Sequence, residues 1–275
     1  MSTYAISDIH GCFDQLQKLL DTVSPTSDDA VYILGDLTDR GDDGDKVMVW
    51  AVDAPDNFHF LLGNHDLMMR EVLRRDPIEM PMHMGDLWSI NGGYETAKSL
   101  WESTEGDWRR KRLLPFVESL RPYEIVDTEA GPFALVHAGF DPSVYAKGPV
   151  YVDAWAEGPD FEVGHGFGTQ NEFVMCWVRR GWFDHLEAAP MPCVYGHTPT
   201  TYIAHIMRDA ERWVDENDTG RRPSWIDSKA ERGRIWRLEN KIDIDCGCAY
   251  GGNLAALRLE DGEEFYVPGR EPTRR

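Results

Sequence analysis

No apolar run in this sequence approaches the roughly 18 residues that a membrane-spanning helix requires. Basic residues are scarce too: 28 Lys and Arg face 48 Asp and Glu, a formal net charge of -20 at pH 7. The basic footprint demanded by a nucleic-acid backbone is therefore missing, and an anionic membrane surface would repel the chain. Cysteines are few, scattered and odd in number (Cys12, Cys176, Cys193, Cys246 and Cys248), which excludes a disulfide framework and fits a reducing compartment. Cys246-Gly247-Cys248 has no second pair to complete a zinc site and reads as buried small hydrophobes near a strand end. The N-terminus lacks a basic n-region and an apolar h-region, so the expected location is cytoplasmic. No Pro- or Ser-rich linker and no repeat is present, and one domain over residues 1–275 is expected.

What is there is ordinary globular composition, 42% hydrophobic and 28% charged, with an alternating opening. Thr3–Ser7, Ala30–Leu34 and Phe58–Leu62 are β-prone. Between them Phe13, Leu16, Leu19 and Leu20 recur at helical spacing over Cys12–Val23, and a second helix is expected over Asp45–Val52. Strand, helix, strand, helix, strand with short connections predicts an α/β fold with a parallel sheet covered by helices. Asp66–Arg75 and Asp107–Leu120 read as helices, Glu124–Val126 and Phe133–His137 as a hairpin, Gly158–Gly168 as a loop and Val194–Gly196 as a strand. Met80–Trp101 and Arg208–Arg234 show little periodicity; insertions at about 80–120 and 205–235 could cover a site and set substrate choice. Ile235–Leu238, Ile242–Asp245, Leu254–Leu259 and Glu263–Val267 read as a terminal β-meander.

Five clusters carry chemistry, nearly all at the end of an expected strand: Ser7-Asp8-Ile9-His10-Gly11, Gly35-Asp36-Leu37-Thr38-Asp39-Arg40-Gly41, Gly63-Asn64-His65-Asp66, His137-Ala138-Gly139 and Gly196-His197-Thr198. In α/β sheets the crevice beyond the carboxyl ends of strands is where ligands bind. Asp8, His10, Asp36, Asn64, His137 and His197 mix carboxylate, imidazole and amide oxygen, a set suited to Mn, Fe or Zn rather than calcium. Asp8 and His10, at i and i+2 of an extended segment, can grip one ion. A carboxylate shared by two ions would hold them about 3.5–4 Å apart, the spacing of two-metal hydrolysis. Each cluster alone has a plainer reading: an aspartate after a strand is often a helix N-cap, and Gly-Asn-His-Asp can be a turn. His59, His83, His165, His185 and His205 take such plain readings, but five coincidences in this order are improbable.

Together these motifs resemble the PPP family of serine/threonine protein phosphatases, in its bacterial type, within the calcineurin-like metallophosphoesterases. Ser7 replaces a leading glycine of the first motif, and Asp245-Cys246-Gly247-Cys248-Ala249-Tyr250-Gly251-Gly252 is similar to the closing segment of bacterial members. The resemblance implies a sandwich of two mixed β-sheets flanked by helices. It implies two divalent ions (Mn2+, Fe2+/Fe3+ or Zn2+), one on Asp8, His10 and Asp36, the other on Asp36, Asn64, His137 and His197. In-line attack by a hydroxide held between them would follow, with His65 protonating the leaving oxygen and Asp39 orienting it. Arg40 and Arg179 (chosen over Arg180), with Asn64, would bind the phosphoryl group. The substrate so implied is phosphoserine or phosphothreonine on a protein. The rival is a symmetrical diadenosine tetraphosphate hydrolase, whose motif resembles Gly-Asp-x-x-Ala-Arg-Gly, whereas Asp39 stands here, and which tends to place Trp where Thr198 stands. Another small phosphoester is a further alternative; a degenerate scaffold would lack a ligand or His65, and none is missing. The strong acidity leans toward a substrate with a single phosphoryl group. A Cys-x5-Arg loop is absent, which excludes tyrosine-phosphatase chemistry at Cys12.

Overall fold

The computed structural model describes residues 1–75, 87–140, 171–184, 189, 191–203 and 233–270. Its opening follows the expected alternation: β1 (Thr3–Ile6), α1 (Phe13–Val23), β2 (Ala30–Ile33), α2 (Gly44–Val52), β3 (Phe58–Phe60) and α3 (Asn64–Leu73). α1 forms because Leu16, Leu19 and Val23 make one apolar stripe that buries completely or nearly so. It stops at Ser24, whose left-handed backbone returns its N–H to the Leu20 carbonyl at 2.7 Å. β1 is buried throughout because it lies inside the sheet and is covered on both faces.

After α3 come α4 (Tyr94–Ser103), α5 (Gly106–Trp108), α6 (Leu114–Ser119), the hairpin β4 (Tyr123–Thr128) and β5 (Gly131–Val136), α7 (Glu172–Trp177), α8 (Arg180–Asp184) and β6 (Cys193–Tyr195). The chain ends on β7 (Trp236–Leu238), β8 (Lys241–Asp243), β9 (Asn253–Arg258) and β10 (Glu264–Pro268). One sheet runs β10-β9-β1-β2-β3 and the other β4-β5-β6-β8-β7. Both are mixed. β1, β2 and β3 are parallel, in register Ile6 to Ile33 to Phe60, and β9 is antiparallel to β1. β5, β6 and β8 are likewise parallel.

Ala5, Leu34, Leu135, Val194, Ile244 and Leu257 fill the space between the sheets. Outside the first sheet, Ile6, Ile33, Leu16, Met48 and Met69 pack with the N-terminal helices. Outside the second, Val136 and Tyr195 meet Val174 and Trp182. The layering is helix, sheet, sheet, helix, as the resemblance implies.

Two expectations are corrected. The last four strands do not form one meander: β7 and β8 pair in the second sheet, β9 and β10 in the first. The chain crosses between sheets through Cys248–Tyr250, a single turn bracketed by Gly247 (φ 75°) and Gly251 (φ 86°), conformations that side chains with a Cβ resist. The described part of Met80–Trp101 is helical; a π-helical turn over Ser89–Gly93 and a positive φ of 101° at Gly92 erase the 3.6-residue period there. Gly158–Gly168 and most of Arg208–Arg234 lie outside the described residues.

Candidate metal centre and phosphate site

The ends of β1, β2 and β3 emerge along one edge, and the loops that leave them are tied to one another. The N–H of His10 donates to the Asp36 carbonyl, that of Gly11 to Leu37 and that of Gly41 to His10, each at 2.9 Å. The Asp66 carboxylate accepts from the N–H groups of Asp36 (2.8 Å), Gly63 (3.0 Å) and Leu37 (3.3 Å), joining the second loop to the third. These ties hold a costly backbone. Asp8, His10, Asp36, Asp39, Arg40 and His197 all have φ between 46° and 73°. Among the described residues only Ser24 and Glu239 share that left-handed region without being glycine. Strain concentrated this way marks a site that the surrounding structure over-determines.

Every ligand candidate is buried: Asp8, His10, Asp36, Asn64, His137 and His197 expose 2% or less. Asp36 stands in the middle. Its Oδ2 is 3.4 Å from His10 Nε2, and its Oδ1 is 3.4 Å from His137 Nε2. On one side Asp8 Oδ1 lies 3.7 Å from His10 Nε2. On the other, Asn64 Oδ1 is 3.1 Å from His137 Nε2 and 2.9 Å from His197 Nδ1. Two sets, His10-Asp36-His65 and Asp36-His137-His197, bring their ligand atoms within 4.8 Å of one another.

The proton inventory fits cations. His10 Nδ1 donates to the Thr38 carbonyl at 2.9 Å, and His137 Nδ1 to the Leu34 carbonyl at 2.8 Å. A carbonyl only accepts, so in the neutral imidazoles both Nε2 atoms carry lone pairs. The His137 lone pair faces the oxygens of Asp36 and Asn64, acceptor against acceptor, and the His10 lone pair faces Asp8 and Asp36 oxygens with the Arg40 guanidinium as its donor. Burial, then the Arg40 charge, holds His10 well below its usual range, and burial lowers His137 as well. Burial, then the charges of Asp8 and Asp66, pushes the Asp36 carboxyl well up. Asp8 Oδ1 and His197 Nε2 are buried without any hydrogen-bond partner. Divalent ions bound among these atoms would resolve all of these conflicts at once.

Beside this cluster His65 Nδ1 donates to Asp39 Oδ2 at 2.5 Å. Burial pushes Asp39 up to about 7, against hydrogen bonds from Thr96 and Trp88. Burial, then the Arg40 charge, holds His65 well below its ordinary value. The Arg40 guanidinium donates to His65 Nε2 at 2.8 Å and also to His10 Nε2. Arg179, at the junction of α7 and α8, lies near enough that its charge also lowers His65, His137 and His197. All ten sequence-selected residues thus gather at one place.

Other contributors were not among the residues selected from sequence; two of them, Trp88 and Thr96, had no motif to reveal them. Trp88 Nε1 donates to both Asp39 oxygens (2.9 and 3.1 Å), and Thr96 Oγ1 accepts from the Asp39 N–H at 3.0 Å. Ser7, which stands where the motif has a leading glycine, donates to Asp8 Oδ2 at 2.5 Å, while the His197 N–H donates to the same oxygen at 2.9 Å. Gly196 makes that geometry possible, because a Cβ there would lie 2.1 Å from Asp8 Oδ2 and 2.2 Å from Ser7 Oγ. Of the histidines given plain readings, His59 sits on β3 and stacks on Tyr32 at 4.7 Å; the others lie outside the described residues. All five cysteines are free and buried, as the plain reading of Cys246 and Cys248 requires. No helix among the described residues is long and apolar enough to cross a membrane.

Comparison with known proteins agrees with this geometry. The sequence model of the calcineurin-like phosphoesterases matches residues 1–244. A symmetrical bis(5'-nucleosyl)-tetraphosphatase from Dechloromonas aromatica is 27% identical, covering 97% of this chain and 96% of its own. The asymmetrical bis(5'-nucleosyl)-tetraphosphatase PrpE from Anoxybacillus flavithermus is 26% identical over 97% of this chain and 94% of its own. A crystal structure described provisionally as a diadenosine tetraphosphatase superposes with a TM-score of 0.58 at 19% identity, covering 98% of this chain and 94% of its own.

Proposed function

Because the chain belongs to the calcineurin-like phosphoesterase family, we propose that it is a dinuclear-metal hydrolase of bis(5'-nucleosyl) polyphosphates. The observation that carries this reading is likeness along nearly the whole length of both chains to relatives named as tetraphosphatases. It replaces the protein phosphatase expected from sequence as the leading reading. In this assignment Asp8, His10 and Asp36 hold one ion, and Asp36, Asn64, His137 and His197 hold the other. When bound, the two ions supply Lewis acidity toward the phosphoryl group and lower the pKa of the attacking water.

The chain's own side chains do the rest. Arg40, with its planar fork, and Arg179 grip phosphoryl oxygens, with the Asn64 amide beside them. Arg40 now donates to His65 Nε2; turning toward an anionic substrate frees that nitrogen to take up a proton from solvent, which it then delivers to the leaving oxygen. Asp39 holds the opposite nitrogen in the donor form, and Trp88 and Thr96 hold Asp39. The burial of every ligand excludes bulk water and strengthens each charge interaction.

A second reading, hydrolysis of phosphoserine or phosphothreonine on proteins, draws support from Asp39, which completes the His65 dyad where the symmetrical tetraphosphatase motif resembles Ala. The two readings separate in one assay. Metal-stripped protein is reloaded with Mn2+ and given diadenosine tetraphosphate, a phosphothreonine peptide and p-nitrophenyl phosphate. The tetraphosphatase reading expects kcat/KM for the dinucleotide about 100-fold above the peptide, or ~2.7 kcal/mol. The reverse ranking transfers the assignment to protein phosphatase. In either case His65→Asn lowers kcat by roughly 10²–10⁴-fold.

A further inference from the structure

Next to the ion cluster the surface carries two tyrosines that the mechanism does not use. Tyr250 is 47% exposed and Tyr202 51% exposed, whereas most large apolar side chains among the described residues are buried or partly buried. Their rings meet edge to face, with centroids 6.5 Å apart. The Arg40 guanidinium lies 5.4 Å from the centre of the Tyr250 ring. The same guanidinium reaches His10 and His65, so one side chain connects the aromatic pair to the reacting centre.

Neither tyrosine is on a loose element. Tyr250 closes the turn between the left-handed Gly247 and Gly251, and its N–H donates to the Gly247 carbonyl at 2.9 Å. Arg270 braces that turn from outside: its backbone N–H donates to the Cys248 carbonyl at 3.0 Å, and its Nη1 to the Arg40 carbonyl at 3.4 Å. Tyr202 follows His197 by five residues, and its segment is joined to the Tyr250 side where the Thr200 N–H donates to the Asp245 carbonyl at 2.8 Å. A rigid, solvent-facing aromatic face next to a phosphate-binding arginine has the form of a base-stacking platform, since every base offers a π-face and arginine adds cation–π attraction.

We propose that Tyr250, buttressed edge-on by Tyr202 and flanked by Arg40, is a stacking shelf for a nucleobase whose phosphoryl group is gripped by Arg40. The proposal deepens the tetraphosphatase reading and rests on it for the identity of the substrate. It explains how a chain of net charge -20 can favour a polyanion: the nucleoside contributes uncharged binding surface that the electrostatics do not oppose. It makes Tyr250 a specificity-determining residue.

The test uses the Mn2+-loaded protein and reads inhibition of p-nitrophenyl phosphate hydrolysis by adenosine monophosphate and by inorganic phosphate. In the wild type the nucleotide should inhibit at a concentration about tenfold below that of phosphate, a stacking contribution of the usual size for one base. Y250F should keep that ratio, and Y250L, which fills similar volume without a π-face, should bring it to about one. Using a ratio cancels any displacement of Arg40 common to both inhibitors. Equal inhibition by both compounds in the wild type overturns the shelf, as does a nucleotide advantage that survives in Y250L. If melting shows Y250L to be misfolded, Y202A carries the same prediction with a loss of about threefold, and an unchanged ratio there overturns it. Turnover of diadenosine tetraphosphate by the wild type is measured alongside. Its absence removes the tetraphosphatase reading, whereas the inhibition ratio still decides the shelf.

Discussion

The two halves of the candidate metal centre are built by opposite means. On one side Asp8, His10, Asp36, Asp39 and Arg40 come from two consecutive strand ends, and every one has a left-handed backbone. On the other, Asn64, His137 and His197 come from the ends of three strands in two sheets, and only His197 has a positive φ. The first half is shaped by local strain that interlocked loops sustain. The second is shaped by packing, since β5 and β6 must pair in register before His137 and His197 can meet Asn64. A site can thus be half written in short-range backbone geometry and half in long-range topology, with Asp36 as the residue common to both.

That shared position sets the largest expected effect. Asp36→Asn should lower kcat by more than about 10³-fold, because an amide cannot offer an anionic oxygen to both sides. Elemental analysis should show both ions weakened together; a variant that keeps one ion at wild-type affinity would show that the halves are independent. A smaller effect tests the strained side alone. Trp88→Phe removes the indole donor from Asp39 and should lower kcat about tenfold, near 1.4 kcal/mol, with little change in KM. Steady-state kinetics decide this one, and an unchanged kcat means Thr96 suffices to hold the carboxylate. The smallest effect concerns the seam between the halves. Ser7→Gly removes one of two donors to Asp8 Oδ2 and leaves the His197 N–H in place. Activity should fall by less than about threefold, or ~0.6 kcal/mol, in the same assay; a larger loss would make Ser7 essential to the seam.

The strained half was the more legible in sequence. β1, α1, β2, α2 and β3 fall within about two residues of where hydrophobic periodicity places them, because each is local and bounded by Gly or Asp. The five motifs were visible for the same reason: a strand end followed by glycine and a polar side chain is a short-range pattern. What sequence could not show depended on distance or on broken periodicity. Trp88 sits in a stretch whose period is interrupted by a π-helical turn and Gly92, so nothing linked it to Asp39. The split of the final four strands turns on which sheet offers a free edge, a property of the assembled fold. Asp66 lay inside a recognised motif, yet two of its three backbone partners, Asp36 and Leu37, belong to another loop. The choice of substrate was the least legible: the protein-phosphatase expectation rested on the single residues Asp39 and Thr198, while likeness to relatives named as tetraphosphatases runs along nearly the whole chain. Net charge, a sum over the whole chain, does not resolve such a choice, because it says nothing of the few side chains that line one site.

The left-handed residues around Asp8 and Asp36 also bear on how the molecule is handled. A non-glycine residue held in that region costs about 1–3 kcal/mol, and six of the eight such residues among those described belong to this cluster. Concentrated in one place, that cost is comparable with the net stability of a typical domain, about 5–15 kcal/mol. Ions that bind only the assembled cluster stabilise the fold by mass action, in proportion to the logarithm of their concentration over Kd. The melting temperature of this protein should therefore rise with metal loading, readable without substrate, and a chelator in a purification buffer should act on it as a mild denaturant.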